Sequence, residues 1–233
     1  MQAVILAGGL GTRLGDITKR VPKPMVPIAG KPYLEYQLNE LRRQGITDIV
    51  LLTGYLGEQI ESHFGDGSQF GLSVRYRREE TPQGTGGGLR DAATLLADEF
   101  LLIYGDSYLP IDYPAVLRRL ADDPAAVGVA MVYDNAESTT VPNNIALDEA
   151  GYVLRYAKDV PQSADLRYVE AGVLAFRRSI VNYLPANRPV SLEKDAFPEL
   201  IARRELLGFV TRQRFYDIGT PDRLTAIERL FST

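Results

Sequence analysis

The chain has 233 residues, 45% hydrophobic and 24% charged, with a formal net charge of −4. These are the proportions of an ordinary globular protein long enough to bury its own core, and they exclude the basic field that nucleic-acid binding requires. With no cysteine and one histidine, His63, disulfides, thiol catalysis and thiolate or multi-histidine metal sites are excluded too.

The first half alternates strand and helix. Gln2 to Ala7 is an apolar run ending in glycines and reads as a buried strand. Tyr33 to Arg43 has helical spacing, with Leu34, Leu38 and Leu41 on one face, Pro32 suited to the start and Gly45 to the stop. Asp48 to Thr53 is a second strand, Glu58 to Phe64 a short helix, and alternating Leu72 to Arg77 a third strand. The glycine-rich stretch Thr81 to Gly88 reads as a loop leading into a helix through Leu96, and Phe100 to Tyr104 is a fourth buried strand.

Beyond it, Val127 to Val132 continues the sheet, and Asn144 to Leu147 with Tyr152 to Tyr156 form a hairpin around Asp148 to Gly151. Val169 to Phe176 is another strand, Ala196 to Arg204 a helix, Leu206 to Thr211 a strand and Pro221 to Phe231 a closing helix. Strands alternating with helices predict an α/β fold: a Rossmann-like, mostly parallel sheet flanked by helices, with right-handed crossovers. No linker or repeat interrupts it, so a single domain over 1–233 is expected. The N-terminus lacks the features of a signal peptide, and no run approaches the roughly 18 apolar residues of a membrane span. Residence in the cytosol is the expectation.

Two loops carry chemistry. Gly8-Gly9-Leu10-Gly11-Thr12-Arg13-Leu14 follows the first strand directly. Its glycines let backbone N–H groups approach a phosphate chain, and Arg13 offers a planar fork of donors to phosphate oxygens. It is not a Walker A loop, which ends in Gly-Lys-Ser/Thr. Nor is it a dinucleotide loop, which needs glycine where Leu14 stands and an acid where Thr53-Gly54 stand. In Val21-Pro22-Lys23-Pro24-Met25 the prolines restrain the backbone around Lys23. Each loop alone also reads as a plain turn.

Together, Gly-Gly-x-Gly-Thr-Arg-Leu and Pro-Lys-Pro-Met resemble the signature of the sugar-phosphate nucleotidylyltransferases. The resemblance implies a nucleotide-diphospho-sugar transferase fold with a small β extension forming the sugar site. Residues 1–110 would mainly bind nucleotide and 111–233 mainly sugar phosphate. The nucleotide phosphates would lie on Leu6, Ala7, Gly8, Gly9, Gly11 and Thr12, with Arg13 and Lys23 neutralising them. Gln83-Gly84-Thr85-Gly86 is similar to the family's base-binding loop, with Thr85 as a helix cap the plain alternative. Gly105-Asp106 and Asp217, in Asp-Ile-Gly-Thr-Pro, match the positions whose aspartates hold catalytic Mg²⁺, with helix capping before Pro221 the plain alternative for Asp217. The resemblance therefore makes Arg13, Lys23 and Asp106 catalytic, Asp106 and Asp217 metal ligands, and Mg²⁺ the cofactor.

On the acceptor side, it places Lys158 on the sugar phosphate and Asn143, Glu170 and Gly172 around the sugar; Lys194 reads equally as an aid at the acceptor phosphate or as a solvated helix-start lysine. Glu170 stands where many members have asparagine, Asn143 where glycine is common, and Asp16 where proline is common. The base loop and Ser191-Leu192-Glu193-Lys194-Asp195 most resemble D-glycero-α-D-manno-heptose 1-phosphate guanylyltransferases. The implied substrates are GTP and that sugar phosphate, and the implied product GDP-heptose for surface polysaccharide. Mannose 1-phosphate, or uridylyl or thymidylyl transfer, are the alternatives within the family. A non-catalytic, nucleotide-sugar-sensing subunit is the alternative outside it, and the presence of all four charged residues argues against that. Neither nucleic acid nor membrane is an expected partner, and a homo-oligomer is compatible with the sequence.

Overall fold

The computed structural model describes residues 1–137, 139–157 and 163–231. The central strand is β1 (Gln2–Leu6), whose Ala3, Val4 and Ile5 are fully buried. Next come the short ribbon β2 (Pro27–Ile28) and β3 (Lys31–Pro32), then α1 (Tyr33–Arg43), β4 (Asp48–Thr53), α2 (Gly57–Phe64) and β5 (Ser73–Arg78). They are followed by α3 (Gly84–Asp91), β6 (Glu99–Tyr104), the two-residue β7 (Ser107–Tyr108), α4 (Tyr113–Ala121) and β8 (Gly128–Tyr133). The rest is the hairpin β9 (Ile145–Leu147) and β10 (Val153–Tyr156), then β11 (Val169–Arg177), α5 (Phe197–Ala202), β12 (Leu206–Thr211), β13 (Tyr216–Asp217) and α6 (Pro221–Phe231).

Seven strands form one sheet in the order β12-β8-β11-β6-β1-β4-β5. Neighbours are parallel except around β11, which runs antiparallel to β6 and β8. Alternation along each strand sends side chains to opposite faces. Ala3, Ile5, Leu101 and Ile103 pack with α1, α2 and α4; Val4, Phe100 and Leu102 pack with α3 and α5. The result is the mostly parallel, helix-flanked sheet that strand–helix alternation predicts.

Three local differences from the sequence reading have physical causes. Residues 113–121, unassigned there, form α4, capped by the Asp112 carboxylate accepting from Ala115 N–H and burying Val116, Leu117 and Leu120. The glycines from Gly84 onward are helical, not loop. Glycine is a poor helix former, but the N–H groups of Gly86 and Gly87 both reach the Val190 carbonyl, so tertiary packing overrides propensity. α3 consequently ends at Asp91, and a separate tight turn, Ala93–Leu95, precedes β6. Finally, α5 is short because a wide π-type turn, Leu192–Ala196, comes before it. Such turns occur often at functional sites.

From β1 the chain steps outward to β4 and β5, then returns to β6 on the other flank of β1. A crevice opens at the carboxyl ends of strands where the order reverses in this way. At the opposite, amino-terminal end of β6, Phe176 anchors the sheet, fully buried against Phe100. Phe176→Ala should cost about 3–5 kcal/mol, measured as a lowered urea midpoint followed by circular dichroism.

Candidate active site

A cleft of about 500 Å³ lies across the carboxyl ends of β1 and β6. One wall is the loop after β1: Leu6, Ala7, Gly8, Gly9, Gly11, Thr12 and Arg13 all face it. The other strand end is pressed against this loop. Gly105 N–H donates to the Leu6 carbonyl at 3.0 Å, and a Cβ on Gly105 would lie 2.5 Å from that oxygen. Only glycine permits the contact, which sets Asp106 beside the phosphate-type loop.

Lys23 is delivered to the same place. Its side chain, on a tight turn between Pro22 and Val26, is only 10% exposed, and Nζ lies 2.5 Å from Asp106 Oδ2. A buried ammonium is costly unless paired, so this contact fixes both side chains. Asp217 is brought in by β13, which pairs antiparallel with β7 in the register Asp217 opposite Ser107. Ile218 N–H then donates to the Asp106 carbonyl at 3.0 Å. The Asp217 carboxylate accepts from Gly219 N–H at 2.8 Å and from Arg223 Nη1 at 3.1 and 3.0 Å. It therefore does not cap α6, the plain reading of its place before Pro221. Gly219 itself faces the cleft, against the Arg13 guanidinium. Arg13, Lys23 and Asp106 thus line the cleft, while Asp217 stands just behind its Gly219 wall, facing a small neighbouring pocket with Thr140 and Arg223.

Beneath them lies Tyr33, fully buried, its hydroxyl without a hydrogen-bond partner among the described residues. Burial raises its pKa well above the ordinary value, and the charges of Asp106 and Asp217 add to the rise. Among the described residues no group of three or more ligating acids, histidines or cysteines exists. Asp106, in the turn before β7, and Asp217, on β13, are the hard oxygen donors that suit Mg²⁺, which takes its other ligands from water and substrate phosphates.

At the far end of the cleft, Gly84 and Thr85 face the cavity, but Gln83 and Gly86 do not. Gln83 turns its amide back onto Thr81, and Gly86 is buried against Val190. Thr85 is not a cap: its hydroxyl donates to Glu193 at 3.0 Å and accepts from Leu192 N–H at 2.9 Å. Glu193, unassigned from sequence, faces the cleft and is 7% exposed. It also accepts from Ser191 at 2.7 Å and from the Tyr104 hydroxyl at 2.9 Å. Glu79 is a second omission. It lines the cleft, accepts from Gln83 N–H at 2.8 Å, and has its pKa raised chiefly by burial. In sequence it sits among Arg77, Arg78 and Glu80, which reads as an ordinary solvated charge run.

Asn143, Glu170, Gly172 and Lys194, expected on the acceptor side, do not line this cleft. The β11 register shifts between Glu170 and Leu174, and Gly172 within the shift has φ +78°. A Cβ on Gly172 would meet Ser107 at 2.5 Å, so the bulge packs directly behind Asp106. Glu170 folds back to accept from Gly172 N–H at 2.6 Å. Asn143 accepts from the Asn135 amide at 2.9 Å. Lys194 is exposed outside the cleft, because the π-type turn directs Glu193 inward instead. Lys158 lies outside the described residues.

A glycine-rich loop, two cations and two carboxylates at a strand-order reversal define a protein that handles phosphate esters. The chain belongs to the nucleotidyl transferase family, whose profile matches residues 2–232. It is 34% identical to a Mycobacterium tuberculosis mannose-1-phosphate guanylyltransferase, over 95% of this chain but 62% of that protein's length. It is 31% identical to the D-glycero-α-D-manno-heptose 1-phosphate guanylyltransferase of Aneurinibacillus thermoaerophilus, over 95% of this chain and 94% of that one. The crystal structure of HddC from Yersinia pseudotuberculosis superposes with a TM-score of 0.82 at 26% identity, covering 99% of both chains. No helix of the described residues is long and apolar enough to cross a membrane.

Gly172→Ala should lower stability by at least about 1–3 kcal/mol, because it combines a left-handed backbone with a side-chain clash. A melting temperature equal to wild type would contradict the tight packing of the bulge behind Asp106.

Proposed function

We propose that this chain transfers GMP from GTP to a sugar 1-phosphate, releasing pyrophosphate, and that the sugar is D-glycero-α-D-manno-heptose. The convergence of Arg13 and Lys23 with Asp106 and Asp217 at the ends of β1 and β6 carries this reading. The acceptor phosphate oxygen is already anionic near neutral pH, so the reaction needs no strong general base. What it needs is cancellation of repulsion between two phosphates, about 4 kcal/mol per pair of unit charges at about 4 Å and an effective dielectric of about 20.

Backbone N–H groups of Gly8, Gly9 and Gly11 hold the triphosphate, while Arg13 and Lys23 neutralise the α-phosphate and the leaving pyrophosphate. Mg²⁺ held by Asp106 and Asp217 supplies further charge neutralisation on the phosphate oxygens when bound. Lys158 draws the acceptor phosphate in, so that its oxygen attacks the α-phosphorus opposite the departing pyrophosphate.

Glu79 supports guanine. Its carboxylate keeps acceptor capacity beyond the Gln83 bond, and guanine presents two adjacent N–H donors that adenine and uracil lack. The relatives named above are guanylyltransferases, and HddC has been crystallised with GMP-PN. Heptose is supported by two heptose-phosphate relatives, each 31% identical over 95% of this chain, set against the mannose-phosphate relative named above. The 34% identity to the latter keeps mannose 1-phosphate as the second reading.

Pyrophosphate release with each nucleoside triphosphate, Mg²⁺ and a panel of sugar 1-phosphates tests this directly. The expected best pair is GTP with the heptose phosphate; no release with any pair refutes catalysis. Asp106→Asn should cut kcat at least about 100-fold while the fold persists, and a near-normal kcat at saturating Mg²⁺ would remove Asp106 from the metal site.

Glu79 gives a pH test. Its folded pKa is raised, so it takes up a proton at higher pH than an ordinary glutamate, and the protonated form loses the paired acceptor. On acidification kcat/KM for GTP should therefore fall earlier than an unperturbed glutamate would dictate. Glu79→Gln should remove that limb and erode the preference for GTP over ATP; an unchanged profile and preference would refute the role.

A further inference from the structure

Arg223, in the first turn of α6, grips two elements at once. Its Nη1 lies 3.1 and 3.0 Å from the two Asp217 oxygens. Its Nε and Nη2 donate to the Thr140 hydroxyl at 3.0 and 2.7 Å. Thr140 belongs to the segment between β8 and β9, so the guanidinium spans from the sheet edge to the acceptor-side lobe. The pair is well shielded, with side-chain exposures of 25% for Arg223 and 13% for Asp217. The other carboxylate, Asp106, is held by Lys23 in the same manner, and Arg13 stands against Gly219 between them. Two carboxylates thus have three cations around them.

This arrangement has a consequence for divalent ions. Mg²⁺ gives up water reluctantly and binds through concentrated negative oxygen. An ion arriving alone meets carboxylates whose charge is already cancelled. A triphosphate changes the balance: it brings its own negative oxygens and gives Arg13 and Lys23 new partners, freeing Asp106. The metal is then held chiefly by the phosphates and Asp106, so the Arg223 charge beside Asp217 opposes it less.

We propose that Arg223 is a positioning residue that shields Asp217 from free divalent cation, so that the metal enters together with the nucleotide rather than ahead of it. The inference rests on the reading of Asp217 as a metal-side carboxylate. Arg223 also orients that carboxylate, since its Nη1 reaches both oxygens while Gly219 N–H donates to Oδ1.

Mn²⁺ binding to the intact protein, followed by the electron paramagnetic resonance signal of the free ion, tests the idea without turnover. Wild type should bind Mn²⁺ weakly without nucleotide. Arg223→Met should bind it about tenfold tighter, from loss of one nearby positive charge, and the gap should narrow once GTP is present. Arg223→Lys, which keeps the charge, should stay near wild type. Thr140→Val, which frees the guanidinium from its second anchor, should fall between wild type and Arg223→Met. A merely structural role predicts the opposite sign, since a loosened site binds metal less well. Nucleotide-free Mn²⁺ affinity no tighter than wild type in Arg223→Met, or in Thr140→Val should the former not fold, overturns the proposal. Asp217→Asn separates the two levels. If it leaves Mn²⁺ binding in the GTP complex unchanged, the metal-site reading itself fails; if it weakens that binding while Arg223→Met matches wild type, only the shielding by Arg223 fails.

Discussion

Lys23 is buried, and a buried ammonium must be answered by a negative charge. Asp106 answers it at 2.5 Å, and much else follows from that contact. The lysine comes from the irregular segment after β1, the aspartate from the turn after β6, so the pair clamps together the two strand ends that bracket the strand-order reversal. The Gly105 contact to Leu6 acts on the same junction through the backbone. Removing either cation or carboxylate would leave the other shielded from water without compensation. The pair therefore adds stability to the ligand-free state as well as being a ready source of phosphate-binding charge.

The cleft divides its chemistry along its length. Near β1 and β6 the walls are cations, backbone N–H groups and Asp106, with Asp217 just behind, suited to phosphates. Toward α3 they are Thr85, Glu79 and Glu193, acceptors suited to the N–H and hydroxyl donors of a base or sugar. Glu193 is locked by three donors, which keeps its carboxylate in one orientation. Such pre-orientation is how a site spends little on ordering when substrate arrives. The β11 bulge at Gly172 packs on Ser107 beside Asp106, and its N–H holds the Glu170 carboxylate.

Much of the fold was legible from periodicity. Buried strands such as Ala3-Val4-Ile5 and helices such as Tyr33 to Arg43 carry strong local patterns, and tertiary packing agrees with them. Two elements were not legible for opposite reasons. The helix of Tyr113 to Ala121 had its cap and apolar face in view, but it is short and follows an irregular turn. The helix starting at Gly84 runs against propensity and exists because Val190, more than 100 positions later, accepts its first N–H groups. Of the site, Arg13, Lys23, Asp106 and Asp217 stand in short patterns that survive without context. Glu79 and Glu193 do not, since each looks like a surface acid until burial and neighbours are known.

Sequence by itself determined the composition of the site: which cations, which carboxylates, which glycines, and the alternation that makes a parallel sheet. These are properties of residue type and local order, written along the chain. Only the tertiary structure decided which of them meet. It put Asp217 opposite Ser107, turned Gln83 and Lys194 away from the cleft, brought Glu193 into it, and set Arg223 on Asp217. Those outcomes depend on strand register, on one π-type turn and on competition among charges for partners, and each is settled by contacts between segments that sequence order keeps far apart.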